Sequence, residues 1–231
     1  MASSFLPAAA WPRVLPFAVF LAVLAARGAL PEQAAGLGHW TLAESLYALQ
    51  AGVAALALAL YWPRYTELHG PSRRLSASAW LASIATGVIV VVLWVNLDAP
   101  WMRIGEPVAG FVPVDPAGRL DWLQIAVRTA GAVLVVPLME ELFWRSFVMR
   151  SVDSREFEQR APASTTALAI VLSSVVFALG HDLWLAGIIA GVAYALLYVR
   201  TGNLWCAVIS HAVTNFLLAA WVVHGGHWQF W

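Results

Sequence analysis

Long runs of Ala, Val, Leu, Ile and Trp alternate with short polar breaks along almost the whole chain. Crossing a hydrocarbon core of about 30 Å takes about 20 apolar residues at 1.5 Å of helical rise each. On that measure the runs predict helices over 14–30, 43–62, 78–97, 121–150, 164–181, 184–200 and 204–224, which makes seven crossings. The fourth run is about 45 Å long, more than a bilayer requires. Pro137 lies inside it and is the expected kink; a helix split there gives eight segments. The expected fold class is therefore all-α, a polytopic transmembrane bundle of seven to eight helices.

Composition agrees and excludes the alternatives. Of 231 residues, 61% are hydrophobic and 11% charged, and the mean hydropathy is +0.74, which places the chain outside the range of soluble domains. The net charge is zero, the 13 basic residues are all Arg, and no basic surface for nucleic acid is expected. Arg64, Arg73 and Arg74 share one break, Arg150, Arg155 and Arg160 another, and Arg200 a third, all on one side under seven crossings. The longest loop carries Asp98, Glu106, Asp115 and Asp121 instead. The positive-inside rule then puts the N-terminus in the cytoplasm of an integral membrane protein, expected to reside in a bacterial cytoplasmic membrane.

Smaller features fit the same picture. The first run, Val14–Ala26, reads as a retained helix, because Arg27 stands where a signal peptidase wants small residues. Cys206 reads as packing, and Gly187, Ala190, Gly191 and Ala195 have the spacing that lets helices approach closely. The tail HGGHWQFW offers Trp228 and Trp231 as an interfacial anchor, with His224 and His227 beside them.

Three polar groups break the apolar runs. Glu140, Glu141 and Arg145 fall in the fourth helix, Phe177 and His181 close the fifth, and His211 and Asn215 lie in the seventh. Ionisable groups at membrane depth are costly unless paired or hydrated, so each is a candidate site. Glu141 and Arg145 are four apart and share a face as an ion pair, while Glu140 points about 100° away without an intrahelical partner. Counting from Arg150, Glu140 lies about 15 Å deep; from Asn203, His211 lies about 12 Å and Asn215 about 18 Å deep. His181, about 26 Å from Ser164, joins them only if the fifth helix tilts or starts outside the membrane. Bland readings exist for each group: a helix-stabilising pair, interhelical hydrogen-bonding glue, a turn at His181 and Asp182. Arg128 reads as a snorkelling side chain or the partner of an acidic loop residue.

The set taken together suits hydrolysis of an amide. A carboxylate and a His around one water can remove its proton, and a second His with an amide can donate to a developing oxyanion. No Ser or Cys has a His at a clear pairing position, so a covalent route is disfavoured. No cofactor is required, although Glu140, His181 and His211 are also residue types that bind zinc; the H-E-x-x-H pattern is absent.

EELFWR (140–145), FALGH (177–181) and HAVTN (211–215) resemble the EExxxR, FxxxH and HxxxN motifs of the CAAX protease and bacteriocin-processing family, in the family's order. The resemblance covers roughly 121–224. It divides the chain into N-terminal helices with a long extracytoplasmic loop over 1–120 and a catalytic core over 121–231, within one structural domain. It implies an intramembrane endopeptidase acting on membrane-associated proteins or peptides; the shared depth of Glu140, His211 and Asn215 puts the cleaved bond near the cytoplasmic leaflet. It further implies Glu140 and His181 as the water-activating pair, His211 and Asn215 as the oxyanion site, and Glu141, Arg145 and Phe177 as structural support. The family has been described both as metalloenzymes and as glutamate proteases, and the metal-free form is the one expected here. The long loop and VRTGNLWCAVISHAVTN also resemble the family's exosortase-associated branch. The seven crossings depart from the eight usual in the CAAX enzymes, so that a more open site, or N-terminal helices filling in, is expected. The rival from another class is a non-catalytic immunity or scaffold protein that keeps the cluster for binding.

Overall fold

The computed structural model describes residues 6–31, 34–69, 74–105 and 110–231; Arg73 and Glu106, used above to orient the chain, lie outside them. Seven principal helices follow in order: α1 (Trp11–Gly28), α2 (Leu42–Leu60), α3 (Ala77–Asn96), α4 (Trp122–Asp153), α5 (Ala167–Ala178), α6 (Trp184–Thr201) and α7 (Leu204–Gly225). Six of them are long and apolar enough to cross a membrane. The all-α membrane bundle expected from the apolar runs is thus the fold.

Two expectations need correction. First, α5 is a 12-residue helix, shorter than a crossing, because Pro162–Ser164 forms a separate 3-10 turn and the chain turns again after Ala178. Second, α4 is not split at Pro137: it runs through from Trp122 to Asp153, absorbing the Pro between two π-helical stretches, Gly131–Val135 and Leu142–Met149. A π register changes which carbonyl each N–H reaches, so a missing donor need not break the helix.

Side-chain caps mark where the helices start. Thr41 and Glu44 form a reciprocal capping box on α2, Ser76 accepts from Ala79 N at the start of α3, and Asn203 accepts from Trp205 N at the start of α7. Gly202, at φ 64°, ends α6 and reverses the chain into α7, a conformation that Gly adopts at little cost.

Small residues set the packing. On α6, a Cβ at Gly191 would lie 2.9 Å from Ser174 Cβ and one at Gly187 3.0 Å from Ala178 Cα, so α5 and α6 touch along the small-residue face read in the sequence. On α3, a Cβ at Gly87 would lie 2.6 Å from Ser210 O and 2.8 Å from Val213 Cβ on α7. Gly87→Ala is expected to push these helices apart and cost about 1–3 kcal/mol, read as a lowered melting temperature in detergent. An unchanged melt would mean that α7 yields without loss.

The two ends of the bundle are chemically distinct. At one, Arg13 binds Glu67 through Nε–Oε1 at 2.9 Å and Nη2–Oε2 at 2.6 Å, and Glu158 at 3.0 Å. Ser146 Oγ also donates to Glu67, and Trp205 Nε1 donates to Leu68 O. The start of α1 and the α2–α3, α4–α5 and α6–α7 connections therefore gather at one end, the Arg-rich one. Burial pushes the Glu67 carboxyl up, but Arg13 and Ser146 outweigh it and hold it below the usual carboxylate range.

At the other end Asp121 caps α4. Its Oδ1 accepts from Leu123 N and Gln124 N, and its Oδ2 from His39 Nε2 and Trp40 Nε1, both at 2.7 Å. Burial raises this carboxyl; the hydrogen bonds from Trp40, His39 and Gln124 N prevail and lower it below the ordinary Asp value. A depressed folded-state value means that the stabilisation is complete above the unfolded Asp pKa of about 3.9 and is lost as pH falls through the folded value. Melting curves taken from neutral pH downward should drop more steeply for the wild type than for Asp121→Asn. Parallel curves would remove Asp121 from the acid response.

A candidate active site between α4, α5 and α7

Asp153, at the end of α4, receives Thr166 N at 2.8 Å and Thr166 Oγ1 at 2.6 Å, which fixes the start of α5 beside the finish of α4. From that shared point Glu140 back along α4 and His181 forward past α5 lie at nearly equal depth, about 20 Å by helical rise. The depth assigned to His181 from Ser164 is thereby corrected: α5 begins later than its apolar run, and its true reference is Asp153. His181 sits in the turn after α5, with Nδ1 3.0 Å from Phe177 O. A carbonyl only accepts, so Nδ1 carries the proton and Nε2 the free lone pair. The ring is held 4.6 Å from Phe177 and 5.4 Å from Trp94 of α3, centroid to centroid.

Glu140, His181, His211 and Asn215 line one cavity of about 250 Å³. Glu140 Oε2 is inaccessible and has no hydrogen-bond partner among the described residues. A buried carboxylate oxygen without a donor is costly unless water or a ligand supplies one.

Glu141 faces elsewhere, as the helical spacing requires. It is fully buried; Oε2 meets Arg145 Nε at 3.1 Å, and Oε1 accepts from His211 Nδ1 at 2.9 Å. That second bond, linking α4 to α7, was not legible in the sequence. It makes His211 Nδ1 a donor and leaves Nε2 as the nitrogen available for chemistry. Arg145 lies 4.5 Å from the Phe177 ring centroid and 5.4 Å from that of Tyr194, and its Nη2 donates to Gly191 O at 3.3 Å. Tyr194 also stacks on His211, with centroids 5.0 Å apart and planes at 18°, and donates to Thr214 Oγ1 at 2.8 Å. Nothing in the sequence patterning singled out Tyr194; its position on the small-residue face of α6 was the only available signal.

Asn215 is oriented by a defect in α4. Val136 N–H bonds to Gly131 O, the π register, and the next bond of that register would come from residue 137, which is Pro and has no N–H. Ala132 O is left for Asn215 Nδ2, at 2.7 Å. One N–H of the amide is thus committed and the other remains for a ligand.

The cavity runs from Glu140 toward the Asp121 end, between Tyr47 near the start of α2, Trp94 near the finish of α3, Arg128, and the tail residues Phe230 and Trp231. This corrects one sequence reading. The cavity does not run toward the Arg-rich end, because depths counted from one helix end say nothing of which way a cavity opens. Trp231 packs over Arg128 as one wall of the cavity. The expectation that N-terminal helices help to close the site agrees with Tyr47 and Trp94.

Sequence comparison finds a similarity over part of the chain. Residues 122–217 match the family model described as Rce1-like, type II CAAX prenyl endopeptidase Rce1-like. Over this stretch the chain is similar to that family. The match includes all three motifs and leaves α1–α3 outside it. Searches of curated proteins and of solved structures return no match.

For this site a metal was an open question. Among the described residues, no three or more His, Cys, Asp or Glu side chains form a group that could hold a metal ion. The bonds of His211 Nδ1 to Glu141 and of His181 Nδ1 to Phe177 O leave both Nε2 lone pairs open, as they also are in zinc-ligating histidines, and no step below passes through a metal.

Proposed function

We propose that this protein is an intramembrane endopeptidase that hydrolyses a peptide bond of a membrane-associated substrate with water activated by Glu140 and His181. The observation that carries the reading is the single cavity lined by Glu140, whose Oε2 has no partner among the described residues, by a His181 ring with only Nδ1 engaged among them, and by Asn215 with its second N–H.

The chemistry runs without a covalent enzyme intermediate. A water between Glu140 and His181 gives up a proton to this pair as its oxygen attacks the carbonyl carbon. The tetrahedral oxyanion accepts from Asn215 Nδ2 and, when the ring carries both protons, from His211 Nε2. The C–N bond then breaks, the proton returns to the leaving amine, and a carboxylate and an amine depart. Glu141 and Arg145 touch no substrate; they hold His211 from behind. With the Arg-rich end in the cytoplasm the N-terminus is cytoplasmic, and the cavity extends toward the opposite leaflet.

The purified chain in detergent should cleave members of a panel of lipid-tethered peptides in water enriched in ¹⁸O. The new carboxylate should carry one label, unaffected by a zinc chelator and without stoichiometric zinc in the protein. Unlabelled products would replace hydrolysis by another chemistry, and chelator-sensitive cleavage would move Glu140 and the histidines to ligand roles.

A further inference from the structure

Arg128 is a guanidinium for which the reaction above has no use. It lies within the membrane-spanning length of α4, on the wall shared by the cavity of Glu140 and a second cavity of about 400 Å³ reached by Arg27, Trp40 and Phe111. The acidic loop partner expected from the sequence is not there: among the described residues Arg128 makes no ion pair, and its side chain no hydrogen bond. Three rings surround it instead, with Arg128 Cζ at 5.4 Å from the centroid of Tyr47, 5.6 Å from Phe111 and 5.5 Å from Trp231. Rings stabilise the charge through their faces and accept none of the five N–H bonds that a guanidinium presents. Arg27 does not neutralise the site; it adds a second positive charge against Tyr47, at 5.2 Å, with its own N–H groups on Ala43 O and Gln50 Oε1.

An unpaired cation on the wall of a reaction cavity calls for an anion that arrives with the ligand. We propose that Arg128 is the carboxylate-binding subsite of this cavity, taking a carboxylate of the bound peptide and thereby fixing which bond reaches Glu140. A planar fork of N–H donors suits a carboxylate, which it can bind through two parallel bonds. The cavity of about 250 Å³ takes only a short stretch of peptide, and Arg128 borders the second cavity of about 400 Å³ as well, so the ligand can extend past it. The spacing sets a ruler: Arg128 and Glu140 are separated by about 18 Å of helical rise, which an extended chain covers in about five residues. The carboxylate should therefore lie within about five residues of the cleaved bond. This assignment rests on the hydrolase reading for its ruler and is independent of it for binding.

Binding separates the two. Glu140→Gln protein in nanodiscs is titrated with a palmitoylated peptide carrying a free C-terminal carboxylate, with its C-terminal amide, and with the amide carrying one Asp in the last five residues. The free carboxylate, the Asp form or both should bind about 10- to 100-fold more tightly than the plain amide. Which one does so distinguishes a terminal from a side-chain carboxylate. Adding Arg128→Gln should abolish that preference, and Arg128→Lys should restore part of it, with melting curves reporting the fold of each. Equal affinity for all three peptides, or a preference that survives Arg128→Gln in a folded protein, overturns the proposal. An Arg128-dependent gain for phosphatidylglycerol over phosphatidylcholine nanodiscs, without peptide discrimination, overturns it in favour of a lipid phosphate. If wild type cleaves none of the peptides while Glu140→Gln still prefers carboxylate through Arg128, the hydrolase reading fails and the subsite stands.

Discussion

Glu140→Gln is expected to lower peptide hydrolysis by about 10²- to 10⁴-fold, the range that a positioned general base contributes, while leaving the fold intact. The substitution keeps the shape of the side chain and removes the charge. Since Glu140 Oε2 has no hydrogen-bond partner among the described residues, no internal hydrogen bond at that oxygen is lost, and the melting temperature should stay level or rise slightly. That separation of rate from stability is the diagnostic part, because residues at reacting centres commonly trade stability for function. Glu140→Asp should also be slow, since retracting the carboxylate by one methylene takes it away from a water that His181 Nε2 holds from the other side. A Glu140→Gln enzyme with wild-type turnover would leave the water-activating role without a carboxylate and dismiss the proposed mechanism.

Arg145→Met is expected to cost about 3–5 kcal/mol of stability, the scale for stripping one partner from a buried ion pair. Both partners are almost wholly buried, with Arg145 at 2% and Glu141 at 0% of their full exposure. The removed group leaves Glu141 Oε2 without its cation at 3.1 Å and opens the gap between the Phe177 and Tyr194 rings that the guanidinium fills. Thermal unfolding in detergent gives the size of the loss. Activity should fall as well, because Glu141, released on one side, no longer fixes His211 Nδ1. Arg145→Lys should rescue little: one ammonium cannot donate to Glu141, reach Gly191 O and lie flat between two rings at once. If Arg145→Lys were as stable as wild type, the charge alone would matter, and the stacking account would be wrong.

The route from sequence to site succeeded where helical geometry alone decided the outcome. The spacing of Glu141 and Arg145 predicts their ion pair, and the same 100° step turns Glu140 out of it; the structure has both. His211 and Asn215, four apart on α7, line one cavity for the same reason. The depth of His181 went astray because the start of α5 is fixed by a side chain of another helix, Asp153, which no apolar window contains. The support of Asn215 was hidden differently. Pro137 stood out only as a kink, whereas its effect is to leave one carbonyl free, and which carbonyl depends on a π register that sequence periodicity does not encode. Arg128 was read as snorkelling or as paired with an acidic loop residue; among the described residues no acid pairs with it, and Tyr47, Phe111 and Trp231 surround it instead.

The sequence by itself determined the membrane bundle, the order and approximate length of most of its helices, and the identity of the polar groups that had to turn inward. Those properties follow from apolar run length and from the cost of an ionisable group in hydrocarbon, both local to a segment. Only the tertiary structure decided which nitrogen of each His is free, that Glu141 serves Arg145 and His211 together, and toward which end the cavity runs. Apart from the bond of His181 to Phe177 O, each of those depends on contacts between helices far apart in the chain, which no local periodicity records.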